Sequence, residues 1–293
     1  MRNRTVALAQ IAPTLGDVRA NLERHIEIAD RARALGADVV VFPELSLTGY
    51  DLQDLVPDVA IPRDGAVLER LAVAAREIDV VAGFVEEDPE HRFYNAAAYL
   101  SRGALLHVHR KLHLPTYGLF QEGREFACGD TLRAFGTAHG TTGLLLCEDV
   151  WHSPTTWLLA QQGAALVIVA ANGPSRGAHP DHGLTSTRVW RDLLRVTARF
   201  HTLFVVFVNR VGCEDGLSFD GGSLVVDPLG QVVAELAPLD ESIECVSLDA
   251  DVLRRARTAS PLLRDARIEF LHREVGRLRR LRFDLPDEPG AGS

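Results

Sequence analysis

The sequence predicts an α/β fold in which helices cover mixed β-sheets, and three observations support this class. Short aliphatic runs bounded by Gly, Pro or Asn alternate with longer segments of helical periodicity, as buried strands and amphipathic helices do. Two predicted hairpins interrupt the alternation, which indicates sheets of mixed strand direction. Aromatic residues make up only 6% of the chain, so aliphatic side chains must fill the core between sheets and helices.

The individual elements are predicted from these patterns in chain order. Single strands are expected at residues 5–10, 39–42, 80–85, 142–147, 166–170 and 203–209. Helices are expected at residues 21–35, 65–77, 154–162 and 185–200. One hairpin pairs residues 95–101 with 105–111 around Arg102-Gly103, and the other pairs residues 223–227 with 232–236 around Pro228-Leu229-Gly230.

The chain is predicted to hold one main domain. No linker-like stretch interrupts residues 1–250, and residues 251–293 are expected to form a helical, Arg-rich extension that ends in a frayed tail at Pro286–Ser293. Apolar residues of the extension, among them Leu253, Phe270, Val275 and Leu278, have no obvious domain to cover. We therefore expect this segment to contribute an oligomer contact.

Composition excludes several classes of function. The formal net charge is −9, with 40 acidic against 31 basic residues, so a nucleic-acid partner is not expected. No apolar run approaches the roughly 20 residues that cross a bilayer, and no signal peptide is recognisable. The 4 cysteines are widely spaced without a Cys-x-x-Cys pair, which fits a reducing compartment. We expect a soluble, cytoplasmic protein without a membrane partner.

Three polar residues each stand at the end of a strongly apolar strand. Glu44 follows Val39-Val-Val-Phe-Pro, Lys111 follows the second strand of the first hairpin, and Cys147 follows Gly143-Leu-Leu-Leu. Residues at strand ends of α/β folds are held rigidly beside the crevice where ligands bind. If these three converge, Glu44 could accept the thiol proton of Cys147, and Lys111 could donate to an oxyanion with the backbone N–H of Glu148. Such chemistry needs no metal and no cofactor, and none is expected.

The sequence around these three residues resembles the signature motifs of the nitrilase superfamily of carbon–nitrogen hydrolases. The matching blocks are Phe42-Pro-Glu-Leu-Ser-Leu-Thr-Gly-Tyr50, Arg110-Lys-Leu-His-Leu-Pro-Thr-Tyr-Gly-Leu-Phe120 and Leu146-Cys-Glu-Asp-Val-Trp151. Two later blocks, Asn209-Arg-Val-Gly212 and Phe219 to Gly230, follow in the family's order. The resemblance covers about residues 5–250 and implies a four-layer αββα sandwich with two mixed sheets and a Glu44–Lys111–Cys147 triad. Members commonly dimerise or form larger assemblies, so a homodimer or higher homo-oligomer is expected.

The resemblance also implies further site residues. A second glutamate near the lysine is expected to be Glu122, with Glu125 as the rival. Within the superfamily these motifs are most similar to those of the glutaminase domain of glutamine-dependent NAD synthetase. This similarity implies that Tyr50 and Tyr117 line the substrate pocket. Glu148 and Trp151 follow Cys147 in the same motif and are expected beside the substrate. Gly173 occupies a position where those glutaminase domains usually carry a serine that holds glutamine, which puts glutamine in doubt as the substrate.

Several functions remain open at this point. The leading hypothesis is hydrolysis of a small linear amide through a Cys147 thioester, for which an ω-amidase, a carbamoylase and an aliphatic amidase are all compatible. A glutaminase subunit that feeds ammonia to a separate synthetase is the second. Nitrile hydrolysis is less favoured because nitrilases usually read Cys-Trp-Glu at the cysteine, and a non-catalytic scaffold has no need of these three side chains. A metal site at His107, His109 and His113 is disfavoured because no carboxylate spacing complements it.

Overall fold

The computed structural model describes residues 1–179 and 183–283. The strands are β1 (Arg4–Gln10), β2 (Val39–Val41), β3 (Ile61–Pro62), β4 (Asp79–Glu87), β5 (Phe93–Ser101), β6 (Ala104–Arg110), β7 (Phe135–Thr137), β8 (Gly140–Leu146), β9 (Leu166–Ala171), β10 (Ala178–His179), β11 (Gly183–Leu184), β12 (Phe204–Asn209), β13 (Val211–Glu214), β14 (Leu217–Asp220), β15 (Leu224–Val226), β16 (Val232–Glu235) and β17 (Ser242–Leu248). The helices are α1 (Val18–Ala34), α2 (Val56–Val59), α3 (Ala66–Ala74), α4 (Glu122–Glu125), α5 (Ser153–Gln161), α6 (Thr185–His201), α7 (Ala250–Ala259) and α8 (Ile268–Phe283).

Two large mixed sheets form the framework. The first has the order β17-β1-β2-β4-β5-β6, with β3 added beside β4, and the second has the order β16-β15-β12-β9-β8-β7. Each sheet contains a parallel trio, β1-β2-β4 in the first and β8-β9-β12 in the second, bordered by antiparallel strands. Parallel strands of this kind must be covered on both faces, which explains their continuous aliphatic sequences.

Alternating side chains of the strands fill separate cores. In β1, Val6 and Leu8 pack with residues of the second sheet, while Ala7 and Ala9 pack beneath α1 and α3. In β8, Leu144 faces the first sheet, whereas Leu145 packs against α5 and α6. The layers therefore run helix, sheet, sheet, helix, and the predicted four-layer αββα sandwich is confirmed.

The structure adds elements that the sequence patterns did not predict. Strand β17 lies antiparallel to β1 along its whole length, from Arg4 opposite Leu248 to Gln10 opposite Ser242. The hairpin of β13 and β14, the short strands β3 and β7 and the short helices α2 and α4 were also missed. Alternation in Ser242-Ile-Glu-Cys could have revealed β17, but only one of its faces is covered and the pattern is correspondingly weak.

The C-terminal segment consists of two helices with different environments. Leu253 and Ala256 of α7 are buried against the domain, and Arg257 donates to the backbone oxygens of Ala164 and Thr202. By contrast, α8 buries none of its residues and exposes Val275 among other apolar side chains. The subunit contact expected here stays a prediction, as does the domain boundary at residue 250, and the tail expected at 286–293 lies outside the described residues.

Within the described ranges, no helix combines the length and the apolar character needed to cross a membrane.

Candidate active site

Strand direction brings the predicted site residues to one rim of the sandwich. Glu44 follows β2, and Lys111 follows β6, which runs parallel to β2 because two antiparallel pairings separate it from β4. Cys147 follows β8 at the corresponding edge of the second sheet. Carboxyl ends of parallel strands meet at the same edge, so residues far apart in the chain share one crevice.

Lys111 forms the centre of a buried polar cluster. Its Nζ lies 2.7 Å from Glu44 Oε1 and 2.8 Å from Glu122 Oε1, and both Lys111 and Glu44 are 0% exposed. The Tyr50 hydroxyl donates to the same Glu122 oxygen at 2.8 Å. The rival residue, Glu125, lies at the other end of α4 and borders a cavity. The structure therefore brings Glu122 rather than Glu125 to the lysine.

The two carboxylates stabilise the charge of Lys111. Burial alone would lower the pKa of Lys111, but Glu122 and Glu44 raise it well above its ordinary value, so the side chain stays an ammonium. Burial raises the pKa of Glu122, and Lys111 opposes that shift while Glu44 adds to it. Burial together with Glu122 also raises the pKa of Tyr50, which keeps its hydroxyl a neutral donor.

Cys147 stands on a sharp turn between β8 and a single 3-10 turn at Cys147–Trp151. Its φ of 40° lies in the left-handed region, which is uncommon for a residue with a side chain and is typical of strained functional positions. The thiol is 8% exposed, and burial followed by Glu44 raises its pKa well above the ordinary value, against the opposing effect of Lys111. The sulfur is therefore a neutral thiol at rest, under the influence of both partners predicted for it.

Asn172, which sequence reasoning did not select, ties Glu44 to the second sheet. Its backbone N–H donates to Glu44 Oε2 at 2.8 Å, and its side-chain NH₂ donates to the Glu44 backbone oxygen at 2.8 Å. The same backbone N–H lowers the pKa of Cys147, so Asn172 borders both the carboxylate and the sulfur. Because Asn172 directly follows β9 as Cys147 follows β8, the strand-end criterion could have found it.

Asn95 holds Glu44 from the first sheet. Its side-chain NH₂ donates to Glu44 Oε1 at 2.8 Å, and its backbone oxygen accepts from the Lys111 backbone N–H. One carboxylate oxygen of Glu44 thus receives the ammonium of Lys111 and the amide of Asn95, while the other receives Asn172. The base position is fixed by donors from both sheets.

A second unpredicted residue, Asp149, connects the lysine segment with the cysteine turn. Its carboxylate is 0% exposed and accepts from the backbone N–H groups of Leu112, His113 and Leu146 and from His109 Nε2, with His113 Nδ1 at 3.2 Å. Burial alone would raise the pKa of Asp149, but the hydrogen bonds of His109 and His113 and the charge of Lys111 lower it, so the carboxylate stays ionised. The residues flanking Lys111 and Cys147 are therefore bonded to the same carboxylate.

The turn that carries Glu44 depends on a close approach to β4. A Cβ added to Gly83 would lie 2.2 Å from Leu45 N, so only glycine allows this contact. The Ser46 hydroxyl accepts from Gly83 N, and its other neighbour is His25, whose Nε2 lies 2.9 Å away. Burial lowers the pKa of His25 to about 4, so the imidazole is neutral. The turn is thus supported by β4 and α1 together.

Four further residues expected to contact substrate lie in three different settings. The Tyr117 hydroxyl donates to the Glu148 carboxylate at 2.9 Å, and burial with this bond raises the pKa of Tyr117 to about 12. Trp151 is 42% exposed and meets Trp190 edge-on at 5.1 Å between ring centroids. Gly173 is buried between strands, and a Cβ there would lie 2.8 Å from Trp190 Nε1. The tryptophan thus occupies the space that a larger residue at position 173 would need.

A cavity of about 650 Å³ adjoins the polar cluster on the side of Glu122. Its lining includes Tyr50 and Glu122 together with the carboxylates Asp51, Asp54 and Asp215. Cys147 is not among the described residues that line this cavity. The cavity therefore lies on the Glu122 side of the polar cluster rather than over the sulfur.

The three histidines considered as metal ligands, His107, His109 and His113, have protein partners in the structure. His107 stacks on Phe135, while His109 and His113 both face Asp149. His113 also stacks on His152, with 3.6 Å between ring centroids. Over residues 1–179 and 183–283, no group of three or more His, Cys, Asp or Glu side chains is arranged to hold a metal ion.

Comparison with known proteins places this geometry in context. The family model described as carbon-nitrogen hydrolase matches residues 5–258. The glutamine-dependent NAD(+) synthetase of Thermotoga maritima is 35% identical over 266 residues, which cover 89% of this chain and 45% of the synthetase. An (R)-stereoselective amidase from Pseudomonas sp is 37% identical over 267 residues, with 90% and 91% covered. A mutant of the amidase from Nesterenkonia sp. AN1 has a TM-score of 0.77 at 27% identity, covering 92% of this chain and 96% of that chain. The chain thus spans less than half of the synthetase but nearly all of the two amidases.

Proposed function

Because this chain belongs to the carbon–nitrogen hydrolase family and is a hydrolase of C–N bonds other than peptide bonds, we propose that it cleaves a small linear amide through a thioester on Cys147. The observation that carries this proposal is the fully buried ammonium of Lys111, held 2.7 Å from Glu44 at the rim where Cys147 emerges. Burying an ammonium between two carboxylates costs desolvation free energy. Charged groups that are kept buried at such a cost are common at functional sites.

The first step joins sulfur to the amide carbon. Because the pKa of Cys147 is raised well above its ordinary value, the thiol is protonated at neutral pH and must lose its proton as it attacks. Glu44 accepts that proton while the sulfur bonds to the carbonyl carbon and the carbonyl electron pair moves to oxygen. Lys111 and the backbone N–H of Glu148 donate to the resulting oxyanion, an interaction worth roughly 10²–10³ in rate per donor.

The second step releases the amine and regenerates the thiol. The C–N bond breaks, and the nitrogen takes its electron pair and the proton held by Glu44, so that ammonia or an amine leaves and the thioester remains. Water then gives a proton to Glu44 and adds its hydroxyl to the thioester carbon. When the C–S bond breaks, the sulfur recovers the proton from Glu44 and a carboxylic acid is released. Glu122 and Tyr50 keep the lysine in place throughout.

The amidase relatives support a cysteine adduct. The Nesterenkonia amidase mutant is described with covalent addition of the acetamide moiety of fluoroacetamide at its active-site cysteine. The direct test here is ammonia release from short amides by the parent, a Cys147→Ala variant and a matched Cys128→Ala variant at an exposed thiol. We expect the first substitution to abolish turnover and the second to leave it unchanged. An equally active Cys147→Ala variant would contradict the thioester mechanism.

A glutaminase function is the second candidate, and the synthetase relatives favour it. Glutamine would then be the amide, and the ammonia would pass to a separate synthetase. The 2.8 Å approach of Trp190 Nε1 to a Cβ at Gly173 disfavours it, because no serine side chain fits at this position without movement of the indole. Assaying glutamine beside simple aliphatic amides separates the two: turnover of aliphatic amides with silence on glutamine would reject the glutaminase.

A further inference from the structure

We propose that the side-chain oxygen of Asn172 accepts a hydrogen bond from the amide nitrogen of the substrate, and so makes the site selective for leaving groups that carry N–H donors. This inference rests on the proposed amide hydrolysis and adds a substrate-contacting residue to it. The favoured substrate class is the primary carboxamide, whose nitrogen carries two N–H bonds.

The orientation of the Asn172 carboxamide follows from its partners. Its NH₂ group donates to the Glu44 backbone oxygen, which can only accept, so the nitrogen must be on that side. The carboxamide oxygen is therefore the other terminal atom, and exchanging the two atoms would place two acceptors against each other.

That oxygen has no hydrogen-bond partner within the described part of the chain, although Asn172 is only 1% exposed. A buried polar atom without a partner is unfavourable, and native proteins contain few of them. An acceptor kept at this cost beside a nucleophile is accounted for if a ligand supplies the donor.

The position of Asn172 identifies that donor. Its backbone N–H donates to Glu44 Oε2 and also lowers the pKa of Cys147, so the residue borders the base and the sulfur at once. Glu44 must hand its proton to the departing nitrogen, which therefore lies next to the Glu44 carboxylate. A nitrogen there has a further N–H to donate, and the Asn172 side chain, which also bonds the backbone oxygen of Glu44, supplies an acceptor that has no partner among the described residues.

Asn95 provides an instructive contrast. Its side-chain oxygen also has no partner among the described residues, and its NH₂ donates to Glu44 Oε1. However, its other contacts lie toward Lys111 and Glu122, whereas Asn172 follows β9, the parallel neighbour of the strand that ends at Cys147. The assignment is therefore restricted to Asn172.

The experiment compares an amide with an ester of the same acid. Both acylate the same thiol, but the ester leaving group brings no N–H donor. In Asn172→Leu we expect kcat/KM for a short primary amide to fall at least tenfold more than kcat/KM for the matching ethyl ester.

The outcomes separate this inference from the proposed function. If the parent hydrolyses neither compound, both fail. If the parent hydrolyses the amide but Asn172→Leu slows amide and ester equally, only the role of Asn172 is refuted, and the residue merely positions Glu44. Asn172→Ala serves as the second variant if the leucine does not fold, and the same comparison of ratios applies to it.

Discussion

Replacing Asp149 by Asn is expected to destabilise the protein by about 3–5 kcal/mol. Three backbone N–H groups converge on the carboxylate at 3.0–3.2 Å; the bond from Leu146 is buried, and those from Leu112 and His113 are partly buried. An amide oxygen has two lone pairs and can accept from two of the three N–H groups. The third N–H is left unpaired, which costs about 1–3 kcal/mol of stability. The two remaining bonds lose the charged acceptor and weaken by roughly 1 kcal/mol each.

The pH dependence of this difference has a definite sign. The pKa of Asp149 is lowered in the folded protein, so its contribution is complete above the unfolded value, near pH 4, and is lost as the pH falls below that point. The contribution of the Asp149 carboxylate to the stability difference between the parent and Asp149→Asn should therefore be constant from pH 5 to pH 8. The difference should become smaller below about pH 4.

Urea denaturation followed by tryptophan fluorescence measures the gap, with the exposed Asp130→Asn as the matched control. The control should lie within about 0.5 kcal/mol of the parent. A gap for Asp149→Asn of less than about 1 kcal/mol, or one that persists unchanged at pH 3, would refute the reasoning. Either result would show that the three backbone N–H groups find other partners. The Asp149 carboxylate would then not hold the lysine segment and the cysteine turn together.

Three further predictions address the site and its support. Glu122→Gln should lower kcat for amides about 10–100-fold, because the buried ammonium loses one of its two charged acceptors; activity within twofold of the parent would argue that Glu44 alone positions it. Gly83→Ala should cost about 3 kcal/mol or more, since its Cβ would meet Leu45 N at 2.2 Å, whereas Gly136→Ala, with open space around it, should be nearly neutral in the same unfolding assay. The rate of Cys147 alkylation by iodoacetamide, measured by mass spectrometry of the peptide that contains Cys147, should keep rising above pH 9 because the pKa of the thiol is raised; a plateau near pH 7 would instead indicate a resting thiolate.

The strand ends that carry Glu44, Lys111 and Cys147 could be predicted because their signal is local. Each follows an aliphatic run long enough to be recognised as a buried strand, and such runs end at the rim of a sheet. The sequence placed Cys147 at the end of its strand, but it predicted neither the 3-10 turn that follows nor the left-handed backbone at Cys147.

The supports of the site could not be predicted in the same way. Asp149 and Asn172 act through backbone N–H groups, which every residue possesses and no sequence pattern marks. Their importance depends on which segments face them, and that is a property of the packed sheets. The edge strand β17 was missed for a related reason, since half of its residues face solvent and dilute the alternation.

The amino-acid sequence alone determined the mixed α/β class, because burial of apolar residues at the period of a strand or a helix is decided within a short window. The αββα sandwich and the chemistry of Glu44, Lys111 and Cys147 were implied by the resemblance to carbon–nitrogen hydrolases. Only the tertiary structure decided the choice of Glu122 over Glu125 as partner of Lys111, the clamp on Glu44 by two asparagines, and the Asp149 bonds between the two sheets. These are contacts between residues up to 128 positions apart. Their geometry follows from strand order and register, and a hydrogen bond depends on tenths of an ångström that no local pattern encodes.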